Sequence, residues 1–301
     1  MPEVSGDFGK LLWPGLNAIY GHAYDEFDVI HDQIFPKFTS RKQFEEDLGV
    51  TGFGLAAQKG EGQPVLYATE SQGFLTRYTH VEYALGFIIT RILMEDDQYD
   101  VVGERRSRGL AFSMRNTKEI VAHNILNRAF TAAYAGGDGK EMLATDHPNV
   151  TGGTWANELT TAANLSEDAL EQACIDLMKF TDDAGLRINA MPEKLIIPVD
   201  LKFEAARILD TDGRVGTADN DLNALKYFGK FKQIVVTPYL TSATAWFIKT
   251  SVADGLKHFE RRADDFSRDN DFDTENAKFK TTARYSFGWT DPRGAYGSPG
   301  V

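Results

Sequence analysis

A stretch without proline, from Asp96 to about Ala135, constrains the fold more than any other feature of this sequence. Within it, apolar residues recur near helical spacing, and basic residues occupy the opposite face. The apolar positions are Leu110, Met114, Val121, Ile125 and Ala129. A continuous helix of this length would extend on the order of 60 Å at ~1.5 Å per residue, well beyond the about three turns of an average helix. Gly103 and Gly109 are the points where it would bend, and a coiled coil ranks lower because the heptads do not persist.

The residues before this helix predict extended structure. The first 45 residues combine aromatic side chains with glycine and proline, as in Trp13-Pro14-Gly15. This indicates an arm whose apolar residues need a partner to cover them. Glycine-rich turns then precede a run from Val81 to Ile89 in which apolar side chains alternate. Together these features predict a long hairpin that projects from the body.

The residues after the helix predict a compact α/β lobe at about 165 to 252. Gly136–Gly139 supplies the glycine stop expected at the end of the long helix, and Ser166 is placed to cap the next helix. Asp200 is predicted to cap a further helix that runs through Leu209. Short buried strands are predicted at Lys194–Val199, Gln233–Val236 and Ala245–Ile248.

The C-terminal residues predict two antiparallel strands. Lys257–Phe266 forms one strand, and Phe279–Trp289, with its alternating apolar side chains, forms the other. The turn between them is expected at Asp273–Asn276. The whole chain is therefore expected to be α+β, in the order arm, hairpin, long helix, lobe and closing strands.

Composition excludes several classes of protein. The 301 residues are 42% hydrophobic and 12% aromatic, which is typical of an ordered globular chain. A net charge of −12 repels phosphate backbones and argues against a dedicated nucleic-acid reader. No run approaches the roughly 18 apolar residues of a membrane helix, and the N-terminus lacks a secretory signal. The single cysteine, Cys174, cannot form an internal disulfide, which fits a reducing cytoplasm.

Two motifs resemble ligand-binding loops but lack their essential residues. Gly136–Lys140 fails as a phosphate loop because Tyr134 and Glu141 stand where that loop needs glycine and a hydroxyl side chain. The aspartates 269, 271 and 273 have the spacing of a calcium loop, but Thr274 and Lys280 replace its glycine and its glutamate. A helix-ending turn and a solvated, acidic hairpin are the expected structures.

No catalytic, cofactor-binding or metal-binding site is predicted. Asp146 and His147 are sequence neighbours and cannot orient each other as members of a triad. Cys174 lies beside the apolar stripe of a predicted helix, where most cysteines are packing residues. The remaining histidines are scattered without ligand spacing: His22, His31, His80, His123 and His258.

Several strings resemble a known family. The residues from Gly137 to Pro148 (GDGKEMLATDHP), followed by Gly152-Gly153-Thr154, resemble the segment after the long helix in major capsid proteins of tailed bacteriophages. The Mu-type major head subunit is the nearest branch. The resemblance covers roughly residues 45–300 and is extended by Pro192–Pro198, the helix Asp200–Leu209, Gly216–Asn220 and Tyr285–Gly294.

This resemblance implies the Hong Kong 97-type capsid fold and a structural protein without enzymatic activity. It implies hexamers and pentamers that close into an icosahedral head around double-stranded DNA, which is bound without sequence specificity. Scaffold, portal and decoration proteins are the implied partners, with assembly in the host cytoplasm and a final location in the virion. The implied parts are an N-terminal arm (1–43), an extended loop (44–91), a peripheral domain with a spine helix (92–164), an axial domain (165–255) and a return to the peripheral domain (256–301).

Two other functions remain open at the level of sequence. An encapsulin-type compartment shell resembles the same fold but encloses a protein cargo, so the contents of purified particles distinguish it from a phage head. A metal-dependent hydrolase that uses the aspartate-rich hairpin is a remote alternative, which metal analysis of the pure protein tests.

Overall fold

The computed structural model describes residues 9–90, 92–93, 99–213, 222–229, 231–271 and 276–301, and it has the α+β fold that the sequence predicts. The principal helices within these residues are α1 (Gly9–Asp25), α2 (His31–Ile34), α3 (Tyr99–Asn127), α4 (Glu167–Met178), α5 (Lys202–Asp210) and α6 (Ala224–Phe228). The strands are β1 (Lys37–Thr39), β2 (Phe44–Val50), β3 (Gln72–Thr79), β4 (Val81–Ile89), β5 (His147–Pro148), β6 (Thr154–Trp155), β7 (Pro192–Pro198), β8 (Gln233–Thr237), β9 (Trp246–Thr250), β10 (Leu256–Asn270), β11 (Ala277–Trp289) and β12 (Ala295–Ser298).

The long helix α3 confirms the central prediction from the sequence. Its 29 residues continue through both Gly103 and Gly109 without interruption. One face of the helix buries Leu110 and Met114 against the first of two main sheets. The predicted start at Asp96 lies outside the described residues.

The end of α3 differs from the prediction, because the helix stops at Asn127 rather than near Ala135. The amide of Ala129 donates to the carbonyl of Leu126 at 3.0 Å, which tightens the last turn. The carbonyl of Ala129 then accepts a hydrogen bond from the amide of Leu143 at 2.9 Å. A distant residue therefore replaces the next helical partner, and the chain leaves the helix before it reaches the glycines.

The first main sheet has the strand order β1-β10-β11-β4. Strand β1 is parallel to β10, and the other neighbours are antiparallel. The predicted closing strands are thus confirmed as β10 and β11, although the turn predicted between them falls mostly in residues 272–275, outside the described part of the chain. Helices α1 and α3 cover this sheet.

The predicted hairpin needs a correction. Strand β4 does not pair with β3 but joins the first sheet beside β11, where the rings of Tyr83 and Tyr285 stack with centroids 4.8 Å apart. Phe87 stacks in the same way on Phe279 at 5.0 Å. The hairpin is formed instead by β2 and β3, with residues 51–71 between them. Cross-strand aromatic pairs therefore decide where β4 lies.

The N-terminal arm also needs a correction. It is helical over Gly9–Asp25 despite Pro14. Its buried residues Leu16, Tyr20 and Ala23 recur at helical spacing and pack on the core of the first sheet. The ring of Tyr20 stacks on Phe266 at 4.8 Å. The chain's own sheet therefore covers the apolar side of this helix.

The second main sheet, β12-β9-β7-β8, forms the core of the predicted lobe together with α4 and α5. The Ser166 cap is confirmed, because its hydroxyl accepts from the amide of Ala169 at 3.2 Å. The Asp200 cap is wrong. Pro198 leads into a 3₁₀ turn at Val199–Leu201 that contains Asp200, and α5 begins after it at Lys202 without a side-chain cap.

The C-terminal strand β12 returns to the lobe, which the sequence did not predict. It pairs with β9 in an antiparallel register, from Ala295 opposite Lys249 to Ser298 opposite Trp246. The segment expected to return to the peripheral domain therefore ends in the sheet of the lobe. Among the described residues, no helix has the length and apolar character needed to cross a bilayer.

Candidate functional site

The most exposed apolar surface lies between the two strands of the β2–β3 hairpin, in residues 51–71. These residues form no strand, and several of their large apolar side chains stand in solvent. Leu55 is 85% exposed and Tyr67 is 90% exposed, and Phe53, Val65 and Leu66 are each more than half exposed. Loops usually carry polar side chains at such positions. Exposed apolar side chains on both sides of the polar residues 58–64 are therefore typical of a surface that contacts another molecule.

The base of this segment is closed by a polar clasp. The amide and the hydroxyl of Thr51 both donate to the carbonyl of Ser71, at 3.0 and 3.1 Å. The same hydroxyl accepts from the amide of Ser71 at 2.8 Å. Thr51 is buried, whereas the residues it encloses are exposed. The clasp fixes where the exposed segment begins and ends.

The hairpin below the clasp is anchored to the first sheet by an ion pair and a hydroxyl. The Nζ of Lys257 lies 2.5 Å from Oδ2 of Asp47, and the hydroxyl of Thr290 donates to the same oxygen at 2.9 Å. The amine also pairs with Asp254 at 2.7 Å. Burial alone would lower the pKa of Lys257, but the two carboxylates raise it, so the ammonium form is favoured. The hairpin thus has a fixed base and an exposed end.

The segment Gly137–Pro148, which carries the strongest family resemblance, does not form a catalytic pair. Its Asp138 and His147 join Asn157 in a buried hydrogen-bonded group, called here the polar joint. The Nδ1 of His147 lies 2.6 Å from Oδ2 of Asp138, and its Nε2 lies 3.0 Å from Oδ1 of Asn157. Asp146 does not contact this ring and pairs with Lys140 at 2.5 Å. The structure therefore separates the two neighbouring residues that the sequence analysis considered together.

Asn157 connects this joint to the C-terminal residues. Its side-chain amide donates to the carbonyls of Met142 and Pro292, at 2.8 and 3.0 Å, and its oxygen accepts from the amide of Ala144 at 2.9 Å. The ring of Trp155 stacks on His147 at 4.8 Å. Every polar group of the joint is used by another part of the fold, which indicates a structural role.

The two loop motifs are placed as follows. Gly136–Lys140 closes on itself, because the amide of Gly136 donates to the carbonyl of Lys140 at 2.7 Å, and Gly139 has a φ of 81°. In the acidic hairpin, Asp271 pairs with Lys278 at 2.6 Å, and Asp269 lies opposite Lys278 in the strand register. The third aspartate, at position 273, is outside the described residues.

Cys174 is buried in the core of the lobe, as predicted. Burial raises the pKa of its thiol to about 11, with a smaller contribution from Glu171. The reactive thiolate is therefore disfavoured at neutral pH.

The fold brings together two histidines that the sequence analysis treated as scattered. A ligand atom from each of His31, Asp32 and His258 lies within 4.8 Å of the other two. His31 contacts Glu119 of α3, with 2.7 Å between Nδ1 and Oε1. The parallel pairing of β1 with β10 creates this cluster, since it places Lys37 opposite His258. No local sequence signal connects residues so far apart in the chain.

Burial sets the protonation of His258, and hydrogen bonds set that of Glu119, which contacts His31. Burial, together with the positive charge of Lys118, lowers the pKa of His258 to about 3, so its ring is neutral at pH 7. Burial alone would raise the pKa of Glu119, but hydrogen bonds from the His31 side chain and from the backbone amide of Ile30 lower it below the ordinary value. A carboxylate thus faces one side of His31, and a neutral imidazole lies on another.

A long helix across one sheet, an exposed apolar hairpin end and an α/β lobe agree with the capsid subunit that the sequence resemblance implies, and comparisons with known proteins identify the family. The sequence profile of a family described as "Phage capsid protein" matches residues 74–298. Because the match spans more than half of the sequence, the chain belongs to this phage capsid family. A search of curated proteins finds no match.

Solved structures of assembled or phage-related proteins share the fold. The capsid protein of bacteriophage JBD30 is 15% identical, with a TM-score of 0.55, over 71% of this chain and 92% of that chain. A phage-related protein from Bordetella bronchiseptica RB50 is 12% identical, with a TM-score of 0.52, over 93% and 95% of the two chains. A virus-like particle from Pyrococcus furiosus is 13% identical, with a TM-score of 0.51, over 94% and 97%.

These comparisons confirm the resemblance to tailed-phage major capsid proteins and the Hong Kong 97-type fold. The protein is a structural capsid subunit and a virion component, which argues against an enzymatic role. The likeness to the Pyrococcus furiosus particle is a likeness of fold alone, so the family match favours a phage shell over an encapsulin-type compartment. The assignment to a Mu-type branch stays a prediction.

Proposed function

We propose that this capsid protein assembles as hexamers and pentamers into an icosahedral head that encloses double-stranded DNA. Residues 44–91 would act as the extended loop, residues 92–164 and 256–301 mainly as the peripheral domain, and residues 165–255 as the axial domain, with residues 1–43 as the N-terminal arm. Assembly would take place in the host cytoplasm with scaffold, portal and decoration proteins. The family match and the shared fold support this proposal.

The exposed apolar segment 51–71 is the observation that carries the proposal. Its large apolar side chains find no cover within the described part of the chain. Water is a poor environment for so much apolar surface, and burial against a neighbouring subunit would recover roughly 25 cal/mol for each Å² covered. The fixed base and exposed end of the hairpin suit a contact that reaches beyond the subunit's own boundary.

The net charge of −12 favours a protein that encloses DNA over one that binds DNA tightly. Packed DNA must leave the head, and an acidic subunit does not attract its phosphates. Contact with the DNA would therefore be without sequence specificity. Nucleic acid recovered from purified particles is the expected content, whereas a protein cargo would favour the encapsulin-type alternative.

Limited trypsin digestion tests the intersubunit contact. Lys59 is the only basic residue between Lys42 and Arg77, so cleavage after it reports on the exposed segment. We expect cleavage in assembled shells to be at least about tenfold slower than in free subunits, which corresponds to ~1.4 kcal/mol of added local stability. Fragment masses measured over time give the two rates.

A Lys59→Gln variant is the matched control, because it removes this cleavage site and confirms the assignment of the fragment. Equal rates of cleavage after Lys59 in shells and in free subunits would show that the segment makes no stabilising contact between subunits. The proposal would then lose the observation on which it depends.

A further inference from the structure

We propose that His31, Asp32 and His258 form a binding site for a divalent transition-metal ion of the Zn²⁺ class. The site lies where the start of α2 meets strand β10, beneath the spine helix α3. It is separate from the exposed segment 51–71 and belongs to no part of the proposed assembly contact. The sequence predicts no metal site, because His258 is far from His31 and Asp32 in the chain.

The strongest observation is the state of His258. Its side chain is fully buried, yet neither Nδ1 nor Nε2 has a hydrogen-bond partner. Buried polar atoms are nearly always paired, so an imidazole with two orphaned nitrogens requires an explanation. The ring is held in place by Phe287, which stacks on it with centroids 4.2 Å apart, and by the backbone bond from its amide to the carbonyl of Pro36. A neutral, fixed imidazole with a free lone pair is the form that binds metals.

The second observation is the orientation of His31. Its Nδ1 lies 2.7 Å from Oε1 of Glu119, and its Nε2 lies 3.2 Å from Oδ1 of Asp32. Glu119 is itself fixed, because the amides of Ile30 and His31 donate to its two oxygens, each at 3.0 Å. With Nδ1 donating to Glu119, Nε2 is the nitrogen beside Asp32 that a metal ion could bind in place of a proton. A carboxylate that orients a histidine in this way is the usual support for a metal-bound imidazole.

The spacing of the three ligand atoms fits a single ion. All three lie within 4.8 Å of one another, whereas ligand atoms at ~2.0–2.2 Å from a tetrahedral ion are about 3.3–3.6 Å apart, so the most distant pair would move together by roughly 1 Å when the ion binds. Two imidazoles and one carboxylate favour Zn²⁺ and similar ions over Ca²⁺ or Mg²⁺, which prefer oxygen ligands. Asp32 is half exposed and borders a cavity of about 360 Å³, which leaves room for a water molecule as the fourth ligand.

The positively charged side chains around the site already have partners of their own, so they do not prevent a cation from binding. Lys37 and Lys118 are the nearest ammonium groups, and both are paired with Glu260, at 2.7 and 3.0 Å. Arg115 also borders the cavity and lies over the ring of Tyr24, with 4.1 Å between the guanidinium carbon and the ring centroid. Asp32 and Glu119 supply the negative charge next to the ion. Bound there, the metal would fasten the start of α2 to β10.

Zinc titration of the purified, unassembled full-length chain tests the proposal after dialysis against a chelator. We expect one Zn²⁺ per chain by calorimetry, and Co²⁺ in its place should give the visible absorption of a low-symmetry, four-coordinate site. Asp32→Asn is the first variant, because Asp32 is exposed and its loss leaves the fold intact. It should weaken zinc binding by about tenfold or more.

Two matched controls accompany the variants. Asp25→Asn removes the same charge from the same cavity without removing a ligand, and His22→Gln is the exposed counterpart of His258→Gln. Both controls should bind zinc like the wild type, whereas His258→Gln should lose stoichiometric binding. The proposal is overturned if the wild type binds no zinc at one equivalent, or if Asp32→Asn binds it as tightly as Asp25→Asn does. Neither of these two results requires the His258→Gln variant. The proposal can therefore be overturned even if His258→Gln does not fold.

Discussion

The lobe at residues 165–252 and the exposed segment 51–71 use apolar side chains in opposite ways. In the lobe, Leu170, Leu177, Leu195 and Trp246 are fully buried between α4 and the second sheet. In the segment, Tyr67 and its apolar neighbours stand in solvent. The apolar residues of the lobe stabilise one subunit, whereas those of the segment can lower the free energy only when a second subunit covers them.

The backbone follows the same division. Strands β7, β8, β9 and β12 form one sheet, so the backbone groups of the inner strands β9 and β7 pair within the subunit on both sides. Between residues 52 and 70 the structure shows one local turn, in which the amide of Gln63 donates to the carbonyl of Gly60 at 3.2 Å. A region with few internal hydrogen bonds opens easily and can adapt to a neighbour. The lobe is thus stabilised within the subunit, whereas segment 51–71 is left with the exposed apolar surface that the proposed contact between subunits would use.

Trp246→Ala should have the largest effect on the free subunit. The side chain is fully buried, and its indole nitrogen donates to the carbonyl of Ala163 at 3.1 Å. Truncation leaves a large cavity and removes one of the two hydrogen bonds to the carbonyl of Ala163, which keeps the bond from the Ser298 hydroxyl. We therefore expect a loss of about 3–5 kcal/mol in the free energy of unfolding, most of it from the cavity. Denaturant unfolding of unassembled protein measures it.

Phe203→Ala is the control for that measurement, because it removes an aromatic ring from the same lobe at a position that is 70% exposed. The free energy of unfolding should change by no more than about 0.5 kcal/mol. If both variants lose similar stability, the distinction between a buried core and an exposed surface within the lobe is wrong.

Thr51→Val should have an intermediate and local effect. It keeps the shape of the side chain but removes the hydroxyl that both donates to and accepts from Ser71. The amide of Ser71 is left without a partner, at a cost of about 1–2 kcal/mol to the closed clasp. Amide hydrogen exchange at Thr51 should accelerate roughly 5- to 30-fold, which mass spectrometry of peptides from the hairpin detects.

Thr51→Ser retains the hydroxyl and should exchange at nearly the wild-type rate. Exchange in the lobe should be unchanged in both variants, because no residue of the clasp contributes to the core of the lobe. Faster exchange throughout the lobe of Thr51→Val would show that the two regions unfold together and would end the comparison between them.

Regular periodicity explains which parts of the fold can be predicted from the sequence. The apolar spacing of α3 and the alternation along β11 each result from one face packing against the core, so the pattern is present in the local sequence. The Ser166 cap is equally local. The strands and helices predicted in the lobe also follow local patterns, and the structure confirms them with boundaries shifted by only a few residues.

Pairings between distant segments are the part that local patterns do not contain. Strand β4 could pair with either β3 or β11, and its pairing with β11, which stacks Tyr83 on Tyr285, depends on residues about 200 positions away. The helical arm is missed for a related reason, because the sheet that covers Leu16 and Tyr20 offsets the unfavourable Trp13-Pro14-Gly15. No local sequence pattern indicates the His31–His258 cluster, because the cluster depends on the pairing of the distant strands β1 and β10.

Tyr67→Ser should have the smallest effect on the free subunit and a clear effect on assembly. The side chain is 90% exposed, so its replacement should change the free energy of unfolding by no more than about 0.5 kcal/mol. In the shell, an apolar ring of this size buried against a neighbour contributes about 1 kcal/mol or more. A loss of that size in every subunit should raise the concentration needed for assembly about fivefold, as measured by light scattering. Tyr67→Phe keeps the ring and should assemble like the wild type. If Tyr67→Ser assembles at the wild-type concentration, the exposed side chain does not contribute to the contact, and the role of segment 51–71 would have to rest on its other apolar residues.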